Sequence, residues 1–379
     1  MGGGRGMKHE ARGKNNFQLL ASCFLFITCF LLCLLPSVST DTKGTYSVDG
    51  YENNLTKEIS GEQFLESILQ TINEKRSEKG LLPLSGDLIA NKVASEQSFD
   101  LIMLGYLSYY NSKDECPDER YTLVGGIGAT TEIIKGFEFE KERLENEQKI
   151  KLTRELANQL VESLTLDSDD SSVLFNTYVN NLGCGFSLSQ DRKKFVGVLE
   201  FVTKALEMEP LSSTINFGEK INLVGKVQSP YKFKAVSVAY FDKQERSESN
   251  ELIPYFPPQD YIAFSDNAKT NFMKIIKGIG FIGAIGASPF TGGATSLLAP
   301  VILSSIQNSP PREVPLKGGI KVRKKGDKDE FSGSIELNYQ GMSGLYFISV
   351  LGELPGVNFP IVISRRTVRV NQVQISKGG

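Results

Sequence analysis

The sequence predicts an α+β protein with a helix-rich first half and a β-rich second half. Residues 61–110 carry apolar side chains at helical spacing. After residue 215, apolar and polar side chains alternate in short runs that are separated by Gly, Pro or charged turns. A chain of 379 residues is long enough for two domains, each with its own core.

The composition excludes several classes of protein. Hydrophobic residues make up 40% and charged residues 23%, which is typical of a globular chain and not of a disordered one. A formal net charge of -2 gives no argument for nucleic-acid binding. The chain has one histidine, His9, near its start. Hydrolysis with a histidine base and zinc sites built on imidazole are therefore not expected in an exported chain.

Residues 1–39 have the pattern of an export signal. Basic residues precede an uncharged apolar run, and small residues follow it. The pattern predicts cleavage near Ser39 or Thr40. An uncleaved membrane anchor is the alternative, because the apolar run is long. We therefore expect a secreted or extracellular protein, or one anchored through this segment. Asn54, in the linker that follows, begins an Asn-Leu-Thr sequon for glycosylation.

Two amphipathic helices open the first domain, which we predict over residues 60–205. Ser60 and Gln63 have the spacing of a capping box for the first helix. Gly80 supplies a stop, and Ser85 or Asp87 is expected to cap the second helix. That helix is predicted to bury a face made of Ile89, Val93, Phe99, Ile102, Met103 and Tyr106.

The rest of the first domain combines charged and apolar runs. Glu138 to Leu164 predicts one long, solvated helix, because opposite charges recur there at helical spacing. The acidic cluster Asp167–Ser172 has two interpretations: a calcium site, or a capping loop that opens a short helix. We favour the capping loop. Gly183–Leu188 and Phe195–Val202 are predicted to form a β-hairpin.

The order of these motifs resembles the CAP family, the cysteine-rich secretory, antigen-five and pathogenesis-related proteins, and especially its bacterial-type members with an SCP domain. The resemblance spans about residues 64–203, roughly a third of the chain. It implies an α-β-α sandwich. The matching segments are Ile72–Arg76, Gly80–Leu84, Asp87–Leu88, Ala94, Gly105–Ser108, Thr131–Ile134 and Asn180–Phe186.

The resemblance also implies a candidate cleft. Many CAP proteins place two histidines and acidic residues around a cleft that can hold a metal ion. Here Tyr109 and Asp170 stand at the two histidine positions, and Glu132 remains at its expected place. A phenol and a carboxylate cannot replace two neutral nitrogen ligands of zinc, so we expect neither a metal nor another cofactor.

The residues of this cleft have two interpretations. Tyr109, Glu132 and Asp170 either form an acid–base set, or Glu132 is held by backbone amides while the tyrosine fills the vacancy. We favour the second. Tyr109, Tyr110 and Tyr121 either line a groove for a peptide, glycan or sterol, ligands that the resemblance implies for some relatives, or serve only as core residues.

Cys116 and Cys184 are the cysteines outside the export signal. They either form one disulfide, as an oxidising compartment permits, or remain separate thiols, with Cys184 buried as a small apolar residue.

The second domain, predicted over residues 206–379, is expected to be an antiparallel β-sandwich. It has neither a tryptophan nor a cysteine pair, so an immunoglobulin assignment is unsupported. The predicted strands are Ile221–Val227, Ala235–Tyr240, Phe331–Tyr339, Gly344–Leu351 and Phe359–Val370.

An apolar, Gly-rich insert of about residues 270–311 interrupts this domain. It is uncharged from Gly278 to Pro311. We expect a helical insert packed on the sandwich; the alternatives are insertion into a membrane and burial in a partner protein. Its match to a dinucleotide-binding fingerprint is discounted, because no strand precedes it. The candidate membrane-contact residues are Gly278, Gly280, Phe281, Gly283 and Phe290.

The sequence therefore predicts an exported, non-catalytic binding protein that acts outside the cell or at a membrane surface. Its partner is expected to be a protein, glycan or lipid, and not a nucleic acid. One alternative is a membrane-active protein that inserts residues 278–306 into lipid. A weak hydrolase of CAP type is the other alternative.

Overall fold

The computed structural model describes residues 56–138, 149–241, 262–263, 318–338, 341–357 and 359–372. All of them lie in one compact unit, Tyr51–Gly379. The structure confirms the α+β class. Asn54, the predicted insert and its candidate membrane-contact residues Gly278, Gly280, Phe281, Gly283 and Phe290 lie outside the described residues. No helix in the described part of the chain is long and apolar enough to cross a membrane.

The N-terminal region, residues 56–203, has one sheet with helices on both faces. The strands run in the order β1-β3-β4-β2. One core joins the sheet to α1 and α4, and two smaller clusters join its other face to α2 and α3. The helices are α1 (Gly61–Glu78), α2 (Leu88–Leu104), α3 (Pro117–Leu123), α4 (Arg154–Leu166) and α5 (Ser168–Leu174). The strands are β1 (Ser85–Gly86), β2 (Ala129–Glu138), β3 (Asn181–Leu188) and β4 (Lys194–Thr203).

The predicted caps are confirmed. Ser60 Oγ accepts from the Gln63 backbone N–H at 3.2 Å, and the Gln63 side chain accepts from the Ser60 N–H at 3.1 Å. At α2 the cap is Asp87, whose side chain accepts from Ile89 N at 2.9 Å and Ala90 N at 3.0 Å. These bonds satisfy backbone donors that the first turn of a helix leaves unpaired.

The predicted buried face of α2 was right at Val93, which is 1% exposed, but wrong near the end of the helix. Phe99 is 63% exposed and Met103 70% exposed. The helix instead packs through its small side chains, because β3 offers glycines to it. A Cβ built on Gly183 would lie 2.3 Å from the Ala90 backbone, and one on Gly185 would lie 2.2 Å from the Ala94 backbone. The buried residues of α2 are Ala90, Val93, Ala94, Gln97, Ser98 and Leu101.

The helix predicted from residue 138 to 164 was right from Arg154 onward but wrong over residues 149–153. Helix α4 begins at Arg154, and Thr153 Oγ1 caps it by accepting from Leu156 N at 3.0 Å. Before it the chain is extended. Ile150 N donates to Arg192 O at 2.8 Å, and Leu152 O accepts from Ile59 N at 2.9 Å. Charge pairs at helical spacing occur in the sequence, but the apolar side chains of this segment are buried in the core. Residues 139–148 lie outside the described part.

The C-terminal region, residues 206–372, consists of two sheets whose inner faces share one core. The strand orders are β10-β11-β7-β5 and β6-β13-β12-β8-β9, with mainly antiparallel pairs and a parallel β13–β6 pair. The strands are β5 (Leu206–Met208), β6 (Thr214–Asn216), β7 (Lys220–Val227), β8 (Lys232–Phe241), β9 (Ile262–Ala263), β10 (Gly318–Lys325), β11 (Lys328–Glu336), β12 (Gly344–Glu353) and β13 (Ile361–Asn371).

Candidate functional site

Two glutamates face each other inside the N-terminal region. Strand β2 pairs with β4 so that Glu132 lies directly opposite Glu200. Opposite residues of an antiparallel pair project from the same face of the sheet. Glu132 is 6% exposed and Glu200 is fully buried. Two buried carboxylates in this arrangement repel each other and need a counter-charge or a shared proton.

Arg120 supplies the counter-charge. It lies in the short helix α3, and its Nη2 is 2.5 Å from Glu132 Oε2. Its Nη1 donates to the backbone oxygens of Tyr109, at 2.8 Å, and Glu115, at 2.7 Å. The guanidinium therefore holds a carboxylate and two loop carbonyls at once, an arrangement that suits its planar fork of donors.

A proton accounts for the second carboxyl group. Burial, and then the negative charge of Glu132, raises the pKa of Glu200 well above its ordinary value. Thr130 Oγ1 donates to Glu200 Oε2. Glu132 Oε1 and Glu200 Oε1 are buried without a donor from another side chain or from the backbone. A protonated Glu200 satisfies both oxygens by donating to Glu132 across the strand pair.

Tyr109 lies beside this cluster. Its ring packs against the apolar group that contains Leu101, Ile134 and Val196. Burial, and then the charges of Glu132 and Asp170, raises the pKa of the phenol. The structure therefore places Tyr109 within electrostatic range of both predicted cleft carboxylates.

Asp170 has a separate partner. It forms an ion pair with Lys135. Glu132 and Lys135 are three positions apart on β2, so their side chains point to opposite faces of the sheet. Burial raises the pKa of Asp170 despite the ion pair. Tyr109 lies near both carboxylates, but Glu132 and Asp170 do not share a set of ligands.

The acidic cluster before α5 serves as a helix cap. Asp167 Oδ1 accepts from Asp169 N at 2.9 Å and Asp170 N at 3.1 Å. Within the described residues, no group of three or more His, Cys, Asp or Glu side chains is placed to hold a metal ion. The capping interpretation of the sequence therefore agrees with the hydrogen bonds.

Tyr110 packs in a different apolar cluster from Tyr109. Its ring packs with Cys116 against Phe241 and Phe347, which belong to strands of the C-terminal region. Cys184 lies in the core of the N-terminal region. The two cysteines are buried and do not form a disulfide. Of the two alternatives that the sequence left open, the structure shows separate thiols.

Helix α3 connects the glutamate pair to the C-terminal region. Asp118 lies 3.7 Å from Arg365 Nη1, and Glu119 lies 2.5 Å from Arg369 Nη2. Thr122 Oγ1 accepts from Thr367 N at 3.0 Å. The same seven-residue helix therefore holds Glu132 on one side and strand β13 on the other.

Arg120 and Glu200 were not among the predicted site residues. Backbone amides were expected to hold Glu132, whereas a guanidinium and a second carboxyl group do so. A signal was present for Glu200. It is the one charged residue in the apolar run Phe195–Val202, and a charge buried in such a strand requires a partner.

Comparisons with known proteins give the following results. No protein-family model matches the sequence. No curated protein matches it. Among solved structures, an outer surface protein from Borrelia burgdorferi is similar at a TM-score of 0.32 and 18% identity, over 39% of this chain and 97% of that one.

Two further structures share similarity with a comparable part of the chain. An extracellular protein containing an SCP domain from Bacillus anthracis has a TM-score of 0.29 and 17% identity over 39% of this chain. A cysteine-rich secretory protein from Staphylococcus aureus has a TM-score of 0.26 and 18% identity over 38%. This chain spans 45% and 39% of the lengths of those two proteins.

Proposed function

We propose that this protein is an exported, non-catalytic binding protein. In this proposal the N-terminal region is a CAP-like α-β-α sandwich without the histidine metal site, and the C-terminal region is a β-sandwich. The order of sequence motifs supports the first assignment, together with a sheet that has helices on both faces. The shared core of two mainly antiparallel sheets supports the second.

The ion pair between Arg120 and Glu132 carries the proposal. In the resemblance, Glu132 is the remaining acidic residue of a cleft that can hold a metal ion. Here its Oε2 lies 2.5 Å from a guanidinium nitrogen. Arg120 already provides the positive charge that a metal cation would otherwise supply. Its guanidinium keeps this charge because it does not lose its proton in proteins. Glu132 is therefore proposed to have a structural role.

Binding would then depend on the shape and charge of the surface around Tyr109. The phenol lies near the Glu132 and Asp170 charges and is half-buried. A tyrosine offers both an apolar ring and a hydroxyl group, a combination that is common at binding surfaces. A protein, a glycan or a lipid is the proposed class of ligand.

Two assays test this proposal. Fluorogenic peptide libraries should show no cleavage by the purified protein. Glycan and peptide arrays should show ligands whose binding falls on Tyr109→Ala but not on Tyr106→Ala, a change at an exposed tyrosine outside the cleft. Turnover that survives repurification and is lost in Glu132→Gln would favour the hydrolase instead.

Membrane activity is a second candidate function. The absence of charge from Gly278 to Pro311 favours it. Flotation with liposomes, with and without residues 278–306, tests it. Lipid binding that is unchanged by the deletion would eliminate this candidate.

A further inference from the structure

Strand β10 and the first residue of β11 form a cationic edge. This edge, defined by Lys321, Arg323, Lys324, Lys325 and Lys328, has five positive side chains in eight residues. The first four are exposed and Lys328 is half-buried. The formal net charge of the whole chain is -2, so this excess is local.

Anions lie close to some of these cations, because Glu207 and Glu209 line one surface groove with Lys321 and Arg323. Asp327 is exposed in the β10–β11 turn, and Glu330 lies 3.4 Å from Lys325 Nζ. Lys325 is 72% exposed in that pair, so solvent screens the interaction strongly. Asp329 is buried and accepts from Phe233 N at 2.8 Å, so its carboxylate faces inward.

The position of β10 makes the cations accessible. In the described sheet β10 is the outermost strand and pairs with β11. Lys321, Arg323 and Lys325 alternate with Val322 and Lys324, so the charges project from both faces of the strand. Val322 is 46% exposed and places an apolar side chain among them.

Protection of the edge is a simpler explanation for some of these lysines. A lysine on an edge strand prevents pairing with another chain. One or two cations achieve this, and they need not continue through the turn to Lys328. A cluster of this density is instead typical of segments that bind anionic lipid surfaces.

We propose that the cationic edge docks the protein on an anionic lipid surface. The cations and the exposed Val322 form a mixed basic and apolar edge, which lipid headgroups accommodate. A membrane is favoured over a soluble polyanion because the uncharged run Gly278–Pro311 ends only seven residues before β10 begins. Docking through the cationic edge rests on the proposed function in one respect only, the export of the protein.

Vesicle co-sedimentation of the full chain tests this inference. The probes are vesicles of phosphatidylcholine alone and vesicles that also contain phosphatidylglycerol. We expect preferential binding to the anionic vesicles, and a decrease in that preference as salt is raised. The variant Lys321→Gln, Arg323→Gln, Lys324→Gln, Lys325→Gln should lower the preference by at least about tenfold.

A matched control removes the same charge elsewhere. Lys92→Gln, Lys151→Gln, Arg154→Gln, Lys220→Gln changes four exposed cations outside the edge and should retain the preference. Circular dichroism shows whether both variants are folded. Equal loss in the two variants, or no preference in the wild type, overturns the inference.

Two further arms separate other sources of binding. Deletion of residues 278–306 should leave the preference for anionic vesicles in place, even if total binding falls. If the deletion abolishes the preference while the quadruple variant keeps it, the inference is wrong. Binding to heparin without binding to vesicles would also overturn it, in favour of a soluble polyanion.

Discussion

Replacement of Arg120 by methionine is the most informative perturbation of the buried site. Methionine preserves much of the side-chain length but removes the positive charge opposite Glu132 and Glu200. It also leaves the Tyr109 and Glu115 carbonyl oxygens without this donor. Removing one partner of a buried ion pair costs roughly 3–5 kcal/mol, because the other charge stays buried without compensation.

The assay is thermal and urea unfolding followed by far-UV circular dichroism, because the chain has no tryptophan. At about 1.3 °C per kcal/mol for a chain of 379 residues, we expect the melting temperature to fall by at least about 4 °C. The exposed Arg154 provides the control, and Arg154→Met should change stability by less than about 0.5 kcal/mol.

A double-mutant cycle isolates the pair itself. Arg120→Met combined with Glu132→Met replaces both charges with apolar side chains, which is often nearly neutral relative to the intact pair. The double variant should therefore lose at least about 2 kcal/mol less than the sum of the single variants. A cost below about 1 kcal/mol for Arg120→Met, with additive effects, would refute the counter-charge role.

Three further predictions concern the site and its supports. The pKa of Glu200 is raised in the folded state, so above about pH 4.5 the folded state keeps a proton that the unfolded state loses. Each pH unit from there to the raised pKa therefore lowers the stability of the wild type by about 1.4 kcal/mol. Glu200→Gln should abolish this dependence, which urea unfolding from pH 5 to 8 measures. Gly185→Ala should cost about 1–3 kcal/mol in the same assay, because its Cβ would lie 2.2 Å from the α2 backbone, whereas Gly319→Ala meets no atom within 4 Å and should be nearly neutral. Asp118→Asn removes the charge beside Arg365, a buried arginine of β13, and should therefore lower the stability by about 1–3 kcal/mol. It should also increase cleavage by a protease in both regions. Asp327→Asn, in an exposed turn, is its control.

Each of these has a contradicting result. An unchanged pH dependence in Glu200→Gln would assign the proton elsewhere. Equal stabilities of the two glycine variants would mean that α2 does not contact β3 through its backbone. Cleavage confined to one region in Asp118→Asn would show that α3 does not hold the two regions together.

Much of the fold could be predicted from local patterns. The cap at Ser60, the stop at Gly80 and the hairpin near residue 190 depend on neighbours in sequence, so the sequence contains their signals. The alternation in β7 and β11 arises from one buried face for each strand, which is also a local property, whereas β8, β12 and β13 are buried on both faces over much of their length.

The errors came from contacts between residues that are distant in sequence. The buried face of α2 depends on Gly183 and Gly185, which lie about ninety residues later and have no side chains to hold the helix away. Apolar spacing alone therefore selected Phe99 and Met103, which are exposed. Strand β10 was missed because its charged residues conceal the alternation, and an edge strand buries little.

The candidate site was predictable only in part. The structure places the phenol of Tyr109 near the carboxylates of Glu132 and Asp170. Arg120 was not predicted, because its contact with Glu132 depends on how a short helix packs against a strand. The pairing of Glu132 with Glu200 requires the strand register, which the sequence does not state.

Calorimetric titration of the native, chelator-treated protein with zinc tests the central claim most directly. If Arg120 satisfies Glu132, zinc should produce no stoichiometric binding at Glu132, and Glu132→Gln should leave the titration unchanged. One equivalent of zinc bound by the wild type and lost in Glu132→Gln would contradict the structural role of this carboxylate.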